Sequence, residues 1–418
     1  MITTLTTLFA TLFDRDELLR RARAVKALVR LKQLHPADVL LSVIRSALAE
    51  EHPSIATARR QYHGLTGYMP EESSFYERLT PGMGDLGWAL FLERLSLATR
   101  VQRQLVAKAL GLPVRDVRAV DATHVTLPRR AAAQFPSTHS KLGGFKITAT
   151  LSVLEDLLIA AHVTDARQHD RKAFRLGRDL ERVLHLMDRG YADHQLFADI
   201  ADGKGLFIIR LKSCSRPVIE RIRGGLSDAH VGAHLDRTLP FDEVVDLDAR
   251  FRVGRSQRRT FRVVGIATAR RNAGRPDRVW LATNLPAHVP AQTVGTFYRL
   301  RWLIENLFRV LKSVGRLDSL PSGNPAIIKL FIAATLLGLV LTQCICALMR
   351  RECPGREPSA IRVFALLLAA LDRLAAAYGT PRFPGEILRF AASLFREGTC
   401  PNPGRPYARE RYLFTVDE

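Results

Sequence analysis

The chain has no Cys-x-x-Cys pair, and its five cysteines, Cys214, Cys344, Cys346, Cys353 and Cys400, are odd in number and widely spread. Neither a disulfide scaffold nor a zinc ribbon is indicated, and free thiols in a reducing compartment fit better. A GxxxxGK[ST] loop and a G-x-S-x-G elbow are both missing, which disfavours nucleotide-driven and acyl-transfer chemistry. No H-E-x-x-H pair occurs either. His124, His139, His162, His169, His185 and His194 crowd one region and read as core polar groups or phosphate contacts, with a zinc site as the alternative. The opening MITTLTTLFATLFDRDELLRR lacks a basic start and a small-residue cleavage site, so it reads as mature protein rather than a signal peptide. No internal repeat or heptad run is visible.

Acidic charge is scarce. Against 62 Lys and Arg stand 41 Asp and Glu, a formal net charge of +21 with a pI near 10.5. That excess points to a polyanionic partner, most simply nucleic acid, without separating DNA from RNA. With 418 residues, 47% of them apolar, the chain can bury a large core in two or three domains. Only one uncharged run, Leu330–Met349, is long enough for a membrane span. Thr335, Thr342 and Gln343 lie inside it and Lys329, Arg350 and Arg351 flank it on both sides, which favours a buried core helix and no membrane partner.

Taken in order, residues 1–110 predict a helical DNA-binding domain, with helices near 16–33, 38–50, 54–62, 71–79 and 86–107. Ser54 and Glu71–Glu72 sit at helix starts. Arg59, Arg60, Tyr62 and His63 are candidates to face a DNA backbone in a helix–turn–helix arrangement, with ordinary helical packing the alternative. The pattern changes after Pro113. Alternation predicts strands at 117–127, 144–153 and 157–163, a helix over 168–184, a strand ending at Asp188, a helix at 193–201 and a strand at 205–212. The order β-β-β-α-β-α-β implies a mixed sheet in an α/β core, 111–213.

Residues 214–278 read as a basic β-strand insertion. Between positions 250 and 278 lie ten arginines and one acid, Asp277. Phosphate contact accounts for that density better than a solvated hairpin does, and Arg250, Arg252, Arg255, Arg258 and Arg259 are the candidates. The core resumes over 279–345, with VWLATNL rejoining the sheet, and 346–418 form a helical C-terminal region ending in an extended arm.

The stretch 294–312, VGTFYRLRWLIENLFRVLK, predicts one helix. Tyr298, Arg301, Glu305 and Lys312 project within a sector of roughly 60° at 100° per residue, and Leu300, Leu303, Leu307 and Leu311 form an apolar stripe. A carboxylate set between two cations and a phenol suits a surface that holds a metal and grips phosphates. Asp121 follows apolar strand residues, and Asp188 ends another strand two residues before a glycine. Two strand-end aspartates and one helical glutamate can converge as hard oxygen ligands for magnesium or manganese. Asp156, Asp165 and Asp170 rank below them, Asp156 as a hairpin-turn residue and Asp165 as a helix cap.

With these residues in hand, the chain resembles bacterial insertion-sequence transposases of the ribonuclease-H-like DDE class, in the group with a Y-(2)-R-(3)-E-(6)-K signature. Tyr298, Arg301, Glu305 and Lys312 complete that signature, and Asp121 in DATHVTL and Asp188 in MDRGY match the first two catalytic acids. The resemblance implies a ribonuclease-H-like sheet with a β-strand insertion and helical flanks. It also implies two Mg2+ or Mn2+ ions on Asp121, Asp188 and Glu305. It further implies metal-dependent cut-and-paste transposition of double-stranded DNA, from terminal inverted repeats into a target. A homodimer in the synaptic complex and a bacterial cytoplasmic, nucleoid-associated site of action follow in the same way; the apolar helices near 361–378 are a candidate dimer surface, with internal packing the equal alternative. Tyr298, Arg301 and Lys312 would contact phosphates. Some members stabilise a flipped base with an insertion tryptophan. Here the tryptophans are Trp88, Trp280 and Trp302, none well inside the insertion, and Phe251 and Phe261 are substitutes. A stand-alone nuclease of the same fold and a catalytically inactive DNA-binding regulator are the competing readings.

Overall fold

The computed structural model describes residues 1–399 except 29, 32, 50–51, 101–113, 139–141, 237, 240, 242, 273–274, 314–316, 318–319, 321 and 354. The side chains of Arg270, Arg271 and Arg275, the end of the expected helix at 86–107 and the C-terminal arm lie outside what is described.

Nine strands form one sheet in the order β3-β2-β1-β4-β5-β9-β8-β7-β6. β1 (Asp116–Leu127), β2 (Gly143–Ser152) and β3 (Leu157–Asp165) make an antiparallel meander. β4 (Val183–Met187) then pairs parallel to β1, and β5 (Leu206–Arg210) parallel to β4. This is a mixed sheet, antiparallel then parallel, as the resemblance implies for the core. Its central strands are apolar on both faces, as parallel strands covered twice must be. Leu184, Leu186 and Ile208 enter one core, while Met187, Phe207 and Ile209 enter the other.

The basic insertion continues this same sheet. β9 (Arg275–Thr283) pairs antiparallel to β5, and β8 (Gln257–Asn272), β7 (Val244–Val253) and β6 (Val218–Gly224) follow outward. β7 and β8 are joined by a tight turn with Gly254 at φ 58°, a left-handed position glycine adopts without strain. Phe197, Phe207, Phe251 and Phe261 pack together under the insertion.

The N-terminal region is helical, as expected. It contains α1 (Ile2–Phe13), α2 (Arg15–Ala24), α3 (Pro36–Ala49), α4 (Ile55–Thr66), α5 (Glu72–Arg78) and α6 (Pro81–Arg100). Ser54 and Thr57 close a capping box on α4, and Gly67 ends it at φ 73°. Tyr62 is not on a DNA-facing surface. It is 2% exposed and donates its hydroxyl to the Gln33 carbonyl, because its ring packs on Phe75.

The expected helix over 168–184 shrinks to α7 (Asp170–Ala173). Phe174 leaves in an extended conformation to pack edge-on against Tyr191, and Arg182 turns the chain at φ 60° into β4. α8 (His194–Asp202) connects β4 to β5, with Asp193 capping its first amides. Two helices then follow β9, α9 (Ala291–Arg299) and α10 (Trp302–Ser313).

α11 (Pro325–Glu352) contains the uncharged run. It is long and apolar enough to cross a membrane, but 89% of its most apolar window is buried inside the protein. It packs chiefly on α6 and α3, and close approach to α3 is tight enough that a Cβ at Gly338 would meet Leu48. Gln343 turns its polarity to use by accepting from Leu158 N–H and donating to the Asp156 carbonyl. α12 (Ala360–Ala377) and α13 (Phe383–Glu397) complete the described chain, with Val363, Phe364, Leu367 and Leu374 of α12 turned into the core.

Candidate active site

The last parallel pair of β1 and β4 is Val120 with Met187. The next residue on each strand is an aspartate, Asp121 and Asp188. Here β1 continues alongside β2, whereas β4 stops and turns through a short 3-10 segment, Arg189–Tyr191. Ligand sites in α/β sheets form where parallel strands end and diverge in this way. The sheet alone therefore sets the two carboxylates at neighbouring positions.

The third acid arrives from the opposite end of the chain through a break in the helix. The expected single helix 294–312 is two helices joined at Leu300–Arg301. Leu300 N–H bonds to the Phe297 carbonyl, Arg301 N–H to Tyr298, Leu303 N–H to Leu300 and Ile304 N–H to Arg301, all three residues back rather than four. Such 3-10 tightening eclipses side chains three apart. It brings the Arg301 guanidinium 5.7 Å from the centroid of the Tyr298 ring.

From there Arg301 reaches both ways. Its Nη1 donates to Asp121 Oδ2 at 2.8 Å and its Nη2 to Glu305 Oε1 at 2.6 Å. The Tyr298 hydroxyl donates to Asp188 Oδ1 at 3.1 Å, and Arg210, at the end of β5, stands 3.9 Å from the same oxygen. Asp121, Asp188, Tyr298, Arg301 and Glu305 thus share one site. Lys312 lies two turns further along α10, where its charge is felt by His124 of β1.

Burial pushes the Asp121 carboxyl up to about 6. Arg301 and the Ala122 N–H oppose that rise, while the charges of Asp188 and Glu305 add to it. Burial also holds the Tyr298 phenol well above its usual range, so it stays a neutral donor to Asp188. Burial disfavours the Arg301 charge, but the carboxylates of Asp121 and Glu305 oppose it and its pKa is raised. A low-dielectric setting strengthens each of these interactions.

Three carboxylates are the right donor chemistry for a hard divalent cation. Among the described residues, no three Asp, Glu, His or Cys side chains close into one metal-holding cluster. Arg301 stands between Asp121 and Glu305, and Tyr298 holds Asp188. Carboxylate oxygens keep further lone pairs beyond one hydrogen bond, so these partners leave capacity for a cation.

The expected phosphate-binding arginines divide by partner. Arg250, Arg252 and Arg258 line a cleft of about 510 Å³ together with Lys212, Arg216, His194 and His234. Arg252 donates to the Arg255 carbonyl, and Arg250 pairs with Glu220 at 3.3 Å. Arg259 makes two bonds to Asp202, at 2.5 and 3.0 Å. Arg262, in the same dense run, is buried and bidentate on Asp246. Phe251, Phe261 and Trp280 are core residues and do not present a ring for a flipped base; Trp302 is 46% exposed. Asp156 sits in a left-handed turn and pairs with Arg350, as a hairpin residue would; Asp165 caps the turn at Arg167–Gln168 rather than a helix.

Sequence reasoning missed Arg210, Lys212 and Arg216, and it missed the pairing of Lys146 with Asp170. Lys146 carried a signal. It is a lone cation in GFKITATLSV, a strand whose every residue is buried, and a buried ammonium demands a partner.

Residues 112–341 match the family described as "Transposase DDE domain". Over 224 residues the chain is 26% identical to a "Probable transposase for insertion sequence element IS5377" of Geobacillus stearothermophilus, covering 54% of this chain and 53% of that protein. The chain thus spans about half the length of the curated relative it matches. A solved structure, the piggyBac transposase synaptic complex with hairpin DNA, superposes with a TM-score of 0.49 at 9% identity, covering 92% of this chain and 84% of that one.

Proposed function

The chain belongs to the transposase DDE domain family, and from that premise we propose that it is a DNA transposase whose catalytic acids are Asp121, Asp188 and Glu305. The observation that carries the proposal is the placement of Asp121 and Asp188 immediately past the last β1–β4 pair, with Glu305 tied to Asp121 through Arg301.

In this reading the three carboxylates hold divalent cations, Mg2+ or Mn2+, near the scissile phosphate. Such ions supply Lewis-acid activation of the attacking oxygen and neutralise charge on the leaving oxygen. The chain's own groups do the rest. Tyr298 orients Asp188 by its hydroxyl. Arg301 is a fork-shaped donor suited to a phosphate as well as to carboxylates. Lys312, which makes no ion pair among the described residues, extends the cationic surface along α10. Arg210 and Lys212 lead from Asp188 toward the cleft lined by Arg216, Arg252 and Arg258, a path for a DNA backbone.

The reaction proposed is cut-and-paste. Water attacks the phosphodiester at an element end, and the freed 3′-hydroxyl attacks the opposite strand and releases the flank to leave a hairpin. Water reopens the hairpin, and the 3′ end then joins target DNA, with two copies of the chain holding paired ends. The division into a helical DNA-binding region, a split core and a basic insertion is part of the same proposal. The test is an end-joining assay with labelled DNA from the flanks of the encoding gene, either metal ion and a supercoiled target. Joined target DNA supports transposition. Cleavage without joining assigns a nuclease instead, and binding without reaction assigns a DNA-binding regulator.

A further inference from the structure

Asp188 leads into the turn Arg189–Tyr191, and its carbonyl accepts from the Tyr191 N–H; that turn is contacted from outside the set of three acids. The contact comes from α7. Lys146 Nζ, on β2, donates to Asp170 Oδ1 at 2.6 Å and to the Gln168 carbonyl at 2.7 Å. The other carboxylate oxygen, Asp170 Oδ2, lies against Gly190 so closely that an added Cβ there would come within 2.6 Å of it. Phe174, at the end of α7, meets the Tyr191 ring edge-on at 5.8 Å. Arg171 faces Asp193 at 3.4 Å, past the far side of the turn. Residues in and after the turn are therefore braced by one four-residue helix and by Phe174 at its end.

Energetics favour a purpose for this arrangement. Lys146 is 5% exposed. Burying an ammonium costs several kcal/mol unless a well-placed counter-charge answers it. An apolar residue would fill a strand interior more simply. The cation instead fixes the first carboxylate of α7, a single helical turn that gives way to irregular chain after Ala173. Gly190 is the complementary feature, since its missing side chain is what lets Asp170 seat directly on the turn.

We propose that Asp170, fixed by Lys146, is a positioning residue that holds the Arg189–Tyr191 turn and through it the Asp188 carboxylate. This rests on the reading of Asp188 as a catalytic acid. Asp170 acts through the turn and touches no reacting atom.

The experiment compares wild type, Asp170→Asn, Lys146→Met, Lys146→Arg and Gly190→Ala, with backbone hydrogen exchange and single-turnover end cleavage as readouts. Asp170→Asn and Lys146→Met should speed amide exchange at least tenfold in a peptide covering residues 188–192 and leave the helical region unchanged. They should slow cleavage at saturating DNA at least tenfold, with the Kd for DNA within twofold. Lys146→Arg, which keeps the cation, should recover most of both effects. Gly190→Ala should match Asp170→Asn in cleavage, and should add little in an Asp170→Ala background, where the clash is gone. Wild-type exchange at 188–192 in Asp170→Asn and Lys146→Met overturns the proposal. So does exchange that rises throughout the molecule in both variants, since that is a general stability role. If wild type itself cleaves no DNA, the proposed function fails while the exchange result still decides the role of Asp170.

Discussion

Arg301 Nη1 lies 2.8 Å from Asp121 Oδ2, and this one bond joins β1 to the helix break just before α10, which carries Glu305. The same guanidinium bonds Glu305, so its fork serves two carboxylates at once. A lysine can place one point charge but cannot reproduce the planar fork. Arg301→Lys should lower the end-cleavage rate at least tenfold, about 1.4 kcal/mol of transition-state stabilisation, measured in single turnovers with saturating DNA.

A second expectation concerns acid stability. His185 lies in the middle of β4, 2% exposed, and burial lowers its pKa to about 4 from the usual 6.5. Above pH 6.5 the ring is neutral in both folded and unfolded chains. As pH falls from 6.5 to 4 the unfolded chain takes up a proton that the folded chain refuses, so stability falls across that window. The loss is on the order of 3 kcal/mol. Denaturant unfolding at pH 7 and pH 4.5 should show that decline, and His185→Leu should flatten it by up to one proton's worth.

The arginine-rich segment is expected to split by function. Arg262 is bidentate on Asp246 and also donates to the Pro286 carbonyl, with its side chain 4% exposed. Asp246→Ala would strand a buried cation, and should cost about 3–5 kcal/mol in urea unfolding.

Arg252 and Arg258, by contrast, face the cleft. Replacing either with Ala should weaken DNA binding in a sequence-independent way and reduce the slope of log K against log salt by about 0.9 per lost phosphate contact. Arg259→Ala should change the slope less, because Asp202 already occupies that guanidinium.

These contrasts show what the sequence carried and what it did not. Alternation in β1 and short apolar runs in β2, β4 and β5 mark these strands within a few residues, because each strand's side chains report its own burial. The acids Asp121 and Asp188 were findable for the same reason, as each ends an apolar run. That VWLATNL rejoins the sheet was legible, and β9 does pair with β5. The outward run of β8, β7 and β6 from β9, which turns the basic insertion into an extension of the central sheet, was not, since nothing within a strand names its partner. The break at Leu300–Arg301 carries no Gly or Pro, and only contacts from Arg301 to Asp121, far away in sequence, explain its place. The helix expected over 168–184 failed for a tertiary reason too. Asp170 and Phe174 are drawn to Lys146 and Tyr191. Density of arginine suggested DNA contact uniformly, yet Arg262 and Arg259 have internal carboxylates that composition could not reveal.

The most direct test of the central claim is end cleavage by wild type beside Asp121→Asn, Asp188→Asn and Glu305→Gln, with DNA binding measured in parallel. Loss of cleavage by at least a thousandfold in each variant, with the Kd for DNA held within a few-fold, is the expected result. Any of the three retaining near wild-type cleavage would contradict the assignment of the site.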